Sequence, residues 1–320
     1  MKLSLLLLTC LLLFFSCFKS DSGTGPISAY VTGSEYFNGG TLAATYWTNG
    51  KRSSFVDTGS FATCIAVASG HVYVTGYDVR AHKDKFWKNG IPAEFWNGSD
   101  TGYLSHPNGY FPNSIAVSGA DVYIAGYIIK GGNYYAAYWK NASLKIVGDS
   151  GSIGESIAVS GNNIFLLGQI AGNGAYWSNG KPTMLLNNGG YSIGTCIAIS
   201  GQDVYVAGGS PGPMYWKNGS AVNLPNPTGA AFATAIAVSG NDVYLAGSSF
   251  NSGIAYALYW KNGEPHILGE KAQAFSIAVS GSDVYVTGYS GQQAVYWKND
   301  NMIKLAEVGQ AYGIFIAKAF

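Results

Sequence analysis

Charge is scarce in this chain. Only 11% of its 320 residues are Asp, Glu, Lys or Arg, against roughly 25% in an average soluble domain. The 18 cations and 17 anions leave a formal net charge of +1, so no field of one sign draws in nucleic acid or a charged membrane surface. Long apolar runs are missing as well. The longest, Leu3 to Phe15, has 13 residues, short of the ~20 that a membrane-spanning helix needs. The four histidines, His71, His82, His106 and His266, show no HExxH or paired metal spacing. GxSxG, a P-loop, a GxGxxG opening a helix and the sialidase-type Asp box are all absent. No metal or cofactor is therefore expected. Glycine (44 residues) and tyrosine (23) are what the chain has in quantity. Many turns, many aromatics and few charges indicate an all-β extracellular protein. They argue against a helical bundle, a nucleotide-binding α/β enzyme and a disordered chain.

The chain starts MKLSLLLLTCLLLFFSC. Lys2, a short apolar core and Ser16-Cys17 at its end resemble a bacterial lipoprotein signal. The resemblance implies lipidation of Cys17 as the first mature residue. Phe14 and Phe15 depart from the usual Leu-small-small pattern, and an ordinary secretory leader is the alternative. Phe18 in place of Asp after the cysteine disfavours inner-membrane retention, by analogy with bacterial sorting rules. The expected organisation is a signal peptide (1–16), a tether (17–26) and one domain (27–320). The expected location is the bacterial outer membrane or cell surface, or outside the cell if the leader is merely secretory.

Internal repeats fill the rest. TCIAVASGHVYVTG at Thr63 returns in variant form at Asn113, Glu155, Thr195, Thr234 and Phe275. Each copy is followed by an aromatic-Trp pair: Phe86-Trp87, Tyr138-Trp139, Tyr176-Trp177, Tyr215-Trp216, Tyr259-Trp260 and Tyr296-Trp297. The Ile of each copy (65, 115, 157, 197, 236, 277) recurs at intervals of 50, 42, 40, 39 and 41 residues. Residues 29–50 supply the back half of a unit. Residues 313–320 supply a front half, with Ile316-Ala317 read as its Ile-Ala pair and Phe315 as an exception before it. Six units and two complementary halves make seven.

Each unit holds four strand-like runs, labelled A to D, rich in β-branched and aromatic residues and bounded by Gly and Asn. Ser-Gly turns join A to B. Asn-Gly, a strong short hairpin signal, joins C to D; Asn141-Ala142 and Asn299-Asp300 depart from it. Seven such units of about 40 residues describe a seven-bladed β-propeller of four antiparallel strands per blade. The C-terminal strand A joins N-terminal strands B, C and D to close the ring. Seven of the eight Trp lie in the repeat and are expected as packing residues. So are the recurring Asp121, Asp203, Asp242 and Asp283, as turn residues. Cys64 and Cys196 hold the same small position three blades apart, too far for a mutual disulfide, and are expected as buried thiols. The repeat, with its YWxNG and IAVSGxDVYVAG segments, resembles propeller repeats of bacterial extracellular proteins and lipoproteins, including HAF-type repeats; VYVAGG at 204–209 is similar to kelch. The resemblance implies fold and extracellular address and brings no catalytic residues.

The A–B and C–D turns share one face; the B–C and D–A connections share the other. The second set varies, and variable loops on a rigid scaffold commonly carry function. Its longest members are expected at 97–113, 77–84 and 127–135. This sector gathers Arg80, His82, Trp96, Tyr103, His106, Tyr110, Tyr134 and Tyr135, suited to a sugar ring or a protein partner. The expected function is a non-catalytic binding protein at the cell envelope, monomeric and with no nucleic-acid partner. A propeller glycan hydrolase or lyase with a site assembled from several blades is the alternative. A structural assembly module is a third option.

Overall fold

The computed structural model describes residues 26–37, 40–53, 55–93, 95, 114–187, 192–209 and 212–318, and the backbone of 102–103. Among these, every regular element is a strand. Seven antiparallel sheets form, each with strand A at one edge and B, C and D following in order. Blade 6 shows the plan: Ala272–Ser280, Asp283–Ser290, Gln293–Lys298 and Asn301–Ala306. The A strands of blades 1 to 5 are Ser60–Ala68, Ile115–Ser118, Ser152–Ser160, Gly194–Ser200 and Ala230–Ser239. The seventh sheet pairs Gly309–Lys318 with Ile27–Phe37, then Thr41–Thr48 and Lys51–Arg52. Each A strand touches the next in an unbroken circuit. The sheets are therefore the blades of a closed propeller.

The register of the seventh sheet corrects one expectation. Val31 pairs with Ile314 and Gly33 with Ala311, across a bulge, as Val286 pairs with Ile277 and Gly288 with Ala274 in blade 6. The repeat Ile is thus Ile314, not Ile316, and Gly313 fills the small position. Phe315 falls where the other blades carry the Ala of Ile-Ala. The sequence "IFIA" offers two Ile in the same strand phase, and only pairing with Ile27–Phe37 selects between them. In consequence Phe315 joins Ala116, Ala158, Ala198 and Ala237 in lining a central channel of about 300 Å³. Among the described residues that line this space, none has an ionisable side chain.

Local chemistry explains why each unit folds alike. The C–D turns carry paired positive φ, 50° and 79° at Asn49-Gly50 for example, the type I′ geometry that matches strand twist. Asn141-Ala142 and Asn299-Asp300 adopt the same turn. Asp300 gains a hydrogen bond with Tyr259 of the neighbouring blade, and burial together with that carboxylate pushes Tyr259 to about 12. The turn Asn has a second task. Its Oδ1 accepts the backbone N–H of strand B in all seven blades, at 2.8–2.9 Å. Its Nδ2 donates to Asp121, Asp203, Asp242 or Asp283 in four of them. The other oxygen of each Asp holds a strand C lysine, which lies over the strand B tyrosine ring. The recurring aspartates are clips between turns.

The strand B glycine marks the point where strand A bulges. A Cβ at Gly33, Gly76, Gly168, Gly208 or Gly288 would strike a backbone carbonyl of that strand, so the glycine keeps the bulge possible. The seven repeat Trp are at most 2% exposed, as a packing role requires. Six residues past each turn Asn stands a further apolar residue: Phe55, Phe95, Val147, Leu185, Leu224, Leu268 and Leu305. Each packs in the cluster that holds the next blade's Trp. Phe55, for instance, meets Trp87 edge-on at 5.2 Å. This residue seals the seam between two blades, a repeat position the motif analysis passed over.

Cys64 is buried and keeps its thiol. Cys196 is disulfide-bonded, which corrects the expectation of a thiol there.

Candidate functional site

The face of the B–C and D–A connections differs from the sequence picture in two places. Residues 127–135 are not a loop. Asp121–Lys130 and Asn133–Lys140 run as one long hairpin around Gly131-Gly132. Tyr134 and Tyr135 are successive strand residues and so point to opposite faces. Tyr134 meets Tyr127 edge-on at 5.5 Å, while Tyr135 packs against the core. Nor is 97–113 one continuous loop. Gly102–Tyr103 pairs with Ile128 and Tyr127, the place that the first half of strand A takes in other blades. The extra residues of the 50-residue interval thus interrupt strand A at its bulge. Trp96, His106, Tyr110 and the Tyr103 side chain lie outside the described residues, as does Cys17.

Arg80 and His82 lie together on a turn that Asp78 organises by accepting the N–H groups of Arg80 and Ala81 at 2.9 and 2.8 Å. Those bonds, Ala81 first, and the nearby Lys85 hold Asp78 below its usual range against the effect of burial. Lys85 stands at a strand C position where blades 2, 3, 5 and 6 carry Ala137, Ala175, Leu258 and Val295. It pairs with both Asp57 and Asp78 at 3.0 Å. Burial alone would lower its ammonium; the two carboxylates outweigh that and hold it above the usual value. Asp57 also accepts the Trp87 indole N–H at 3.1 Å. This ionic knot ties the connection from blade 7 to blade 1 and keeps Lys85 charged.

Next to it the fold assembles aromatic residues that sequence reasoning did not single out. His82 Nδ1 lies 3.3 Å from the Tyr77 hydroxyl. Tyr77 packs on Phe61 (6.0 Å), Phe61 on Tyr312 (6.4 Å), Tyr312 on Phe275 (5.6 Å) and Phe275 on Tyr289 (5.8 Å). The arc crosses blades 1, 7 and 6. It follows the ends of the inner strands where D–A connections arrive. Burial pushes the Tyr312 phenol to about 12, and its hydroxyl donates to Gln310 Oε1 at 2.8 Å. A sequence signal existed: an aromatic follows the strand B glycine in Gly76-Tyr77 and Gly288-Tyr289. Another stands shortly before the repeat Ile in Phe61, Phe275 and Tyr312.

Opposite the arc, blade 3 places Glu155 at the strand A bulge. It is 5% exposed, accepts Gln169 Nε2 through Oε1 at 2.8 Å, and leaves Oε2 without a hydrogen-bond partner. Burial raises its carboxyl from 4.5 to about 8, against the opposing bond from Gln169. Blades 4 and 5 carry threonine here, and each hydroxyl donates across the seam: Thr195 to Ala233 O and Thr234 to Ala274 O, both at 3.2 Å. Only a protonated glutamic acid can donate in the same way. Elsewhere on this face Glu35 pairs with Arg52, and Glu307 accepts from both Lys304 and Gln293. Among the described residues, no three of His, Cys, Asp and Glu gather as metal ligands.

No family model matches the chain, and no curated protein does. It is similar to several solved structures. One is the β-propeller domain of the Trilobed protease from Pyrococcus furiosus (11% identity, TM-score 0.46, 92% of this chain and 99% of that one). Another is a prolyl endopeptidase (11%, 0.46, 86% and 47%). A third is Trypanosoma rangeli sialidase in complex with sialic acid (8%, 0.42, 94% and 59%). The chain thus spans about half the length of the prolyl endopeptidase and the sialidase.

Proposed function

We propose that this chain is a non-catalytic carbohydrate-binding protein of the bacterial cell envelope, with its site on the B–C/D–A face over blades 6, 7 and 1. The observation that supports this reading is the arc from Tyr289 to Tyr77, ending at His82 and Arg80. Sugar rings present C–H faces that stack on aromatic rings. The half-buried Tyr77 and Tyr289 offer both the apolar plate and the polar handle that such a ligand uses. The hydrolase or lyase alternative draws on less: of the carboxylates near the arc, Asp57 and Asp78 are both held by Lys85, and Asp84 lies across from Tyr77 on the neighbouring strand. The protein is carried to the outer membrane or cell surface and anchored through lipid on Cys17.

Two experiments test the reading. Calorimetric titration with envelope and host polysaccharides should show saturable binding to at least one. Tyr77→Ala and Tyr289→Ala should each weaken that binding by about tenfold or more, the equivalent of ~1.4 kcal/mol, with little change in melting temperature. Wild-type affinity in both variants would remove the arc from the site; no binding to any glycan would favour a protein partner. For the anchor, labelled palmitate should enter the wild type and not Cys17→Ala, and the variant should leave the membrane fraction. An unlabelled wild type would mean a secreted protein.

A further inference from the structure

The seam between blades 2 and 3 is built differently from its neighbours. Its sealing residue is Val147, where the other six seams have Leu or Phe. The C–D turn of the following blade also stands clear. Gly50 and Gly90 lie close to Ile303 and Phe55 of the preceding blade, but Gly180, like Gly263 at the seam of blades 4 and 5, has nothing within 4 Å of where a Cβ would stand. The result is an open cavity of about 510 Å³, within the ~300–1,000 Å³ range of small-molecule sites. Its wall is apolar, formed by Trp177, Leu166, Ile164 and Val147. Its polar groups are Tyr138, Lys145 and Asn179.

The charges decide what fits. The strand C lysines of blades 2, 4, 5 and 6 are each paired with an aspartate. Lys145, on strand D, has no carboxylate partner among the described residues. Trp177, like Trp47 and Trp139, donates its indole N–H to no described residue, whereas Trp216 donates to Leu186 O and Trp260 to Pro225 O. Asn179 is committed to Ile164 N and Asn163. An aromatic wall, one unpaired cation, one unpaired N–H and the Tyr138 hydroxyl call for a flat apolar body with an anionic acceptor.

We propose that this seam is a binding site for a small aromatic carboxylate, separate from the aromatic arc. The ring lies against Trp177 in the space that a leucine at 147 would fill, and the carboxylate faces Lys145. The site stands on its own and does not depend on the carbohydrate reading.

The test uses full-length protein with benzoate and indole-3-acetate, followed by calorimetry and saturation-transfer NMR. Indole and benzylamine serve as uncharged and cationic comparisons. Both carboxylates should bind saturably and benzylamine should not. Val147→Leu restores a side chain already used at four other seams, so it should melt at or above the wild-type temperature while abolishing binding. Lys145→Met should weaken the carboxylates about tenfold, as loss of a charge-assisted hydrogen bond does, and leave indole unchanged. Absence of carboxylate binding, equal binding of benzylamine, or undiminished affinity in Val147→Leu would each overturn the proposal.

Discussion

A chain truncated before residue 309 will show no cooperative melt. Removing Gly309–Lys318 takes away the inner strand of the seventh blade and, with it, the paired edge of Ile27–Phe37. Ile314, Phe315 and Ile316 are 0–3% exposed, and burial of each such side chain is worth about 1.5–3 kcal/mol. The neighbouring blades lose a wall as well, since Gly309–Lys318 contacts the A strands of blades 1 and 6. Against a typical total of ~5–15 kcal/mol, that loss suffices to unfold the ring. The ends need not be the natural ones. Ala317 pairs with Ser28 where Ser280 pairs with Asp283 across an A–B turn in blade 6. A permuted chain that starts at Gly309 and joins Ala317 to Ser28 through Gly-Ser should therefore fold and melt near the wild type. Circular dichroism and calorimetry on the pair decide it. A soluble, cooperatively melting truncation, or a permutant that fails to fold, would refute ring closure by this strand.

Glu155→Gln will make the protein more stable at neutral and alkaline pH, and the gain will grow with pH. The folded state keeps the Glu155 proton up to about pH 8, whereas its ordinary value is 4.5. Between those values the folded state holds more protons than the unfolded chain, so stability falls as pH rises through that window. Below pH 4.5 both states are protonated and the favourable contribution is complete. Above pH 8 both are ionised, and the folded state bears the full cost of a buried carboxylate. At about 1.4 kcal/mol per unit of pKa, that cost is at most ~5 kcal/mol. The difference in melting temperature between Glu155→Gln and wild type should be small at pH 4.5, widen to pH 8 and then level off. Glu155→Thr should behave similarly, because a threonine hydroxyl can reach across the seam as Thr195 and Thr234 do. Parallel melting curves for wild type and Glu155→Gln over that range would show that the carboxyl is not buried as described.

The sequence-based reading reached the candidate site only at its edge. Arg80 and His82 are where it put them, on a B–C turn. Tyr134 and Tyr135 looked like loop residues because Gly131-Gly132 lies between polar neighbours; cross-strand pairing with Ile128 and Ile129 makes them arms of a hairpin. The aromatic arc stayed hidden because its members come from distant parts of the chain. Phe61 and Tyr312 stand 251 positions apart yet pack at 6.4 Å. Glu155 gives no signal in the sequence either: it stands where blades 4 and 5 carry threonine, and its burial is a matter of tertiary packing.

The sequence by itself determined the blade count, the four strands of each blade, the turns between them and the pairing of the two chain ends. All of these rest on interactions within one 40-residue unit, or on counting units, and a periodic pattern of Gly, Asn, Trp and β-branched residues carries that information locally. Tertiary structure alone decided which Ile of the closing strand faces Val31, and therefore that Phe315 enters the channel. It also decided that Lys85 bridges two carboxylates, that five rings from three blades pack into one arc, and that Val147 leaves a seam open. These follow from the packing of one blade on the next, where residues from separate units share a surface that no single repeat encodes.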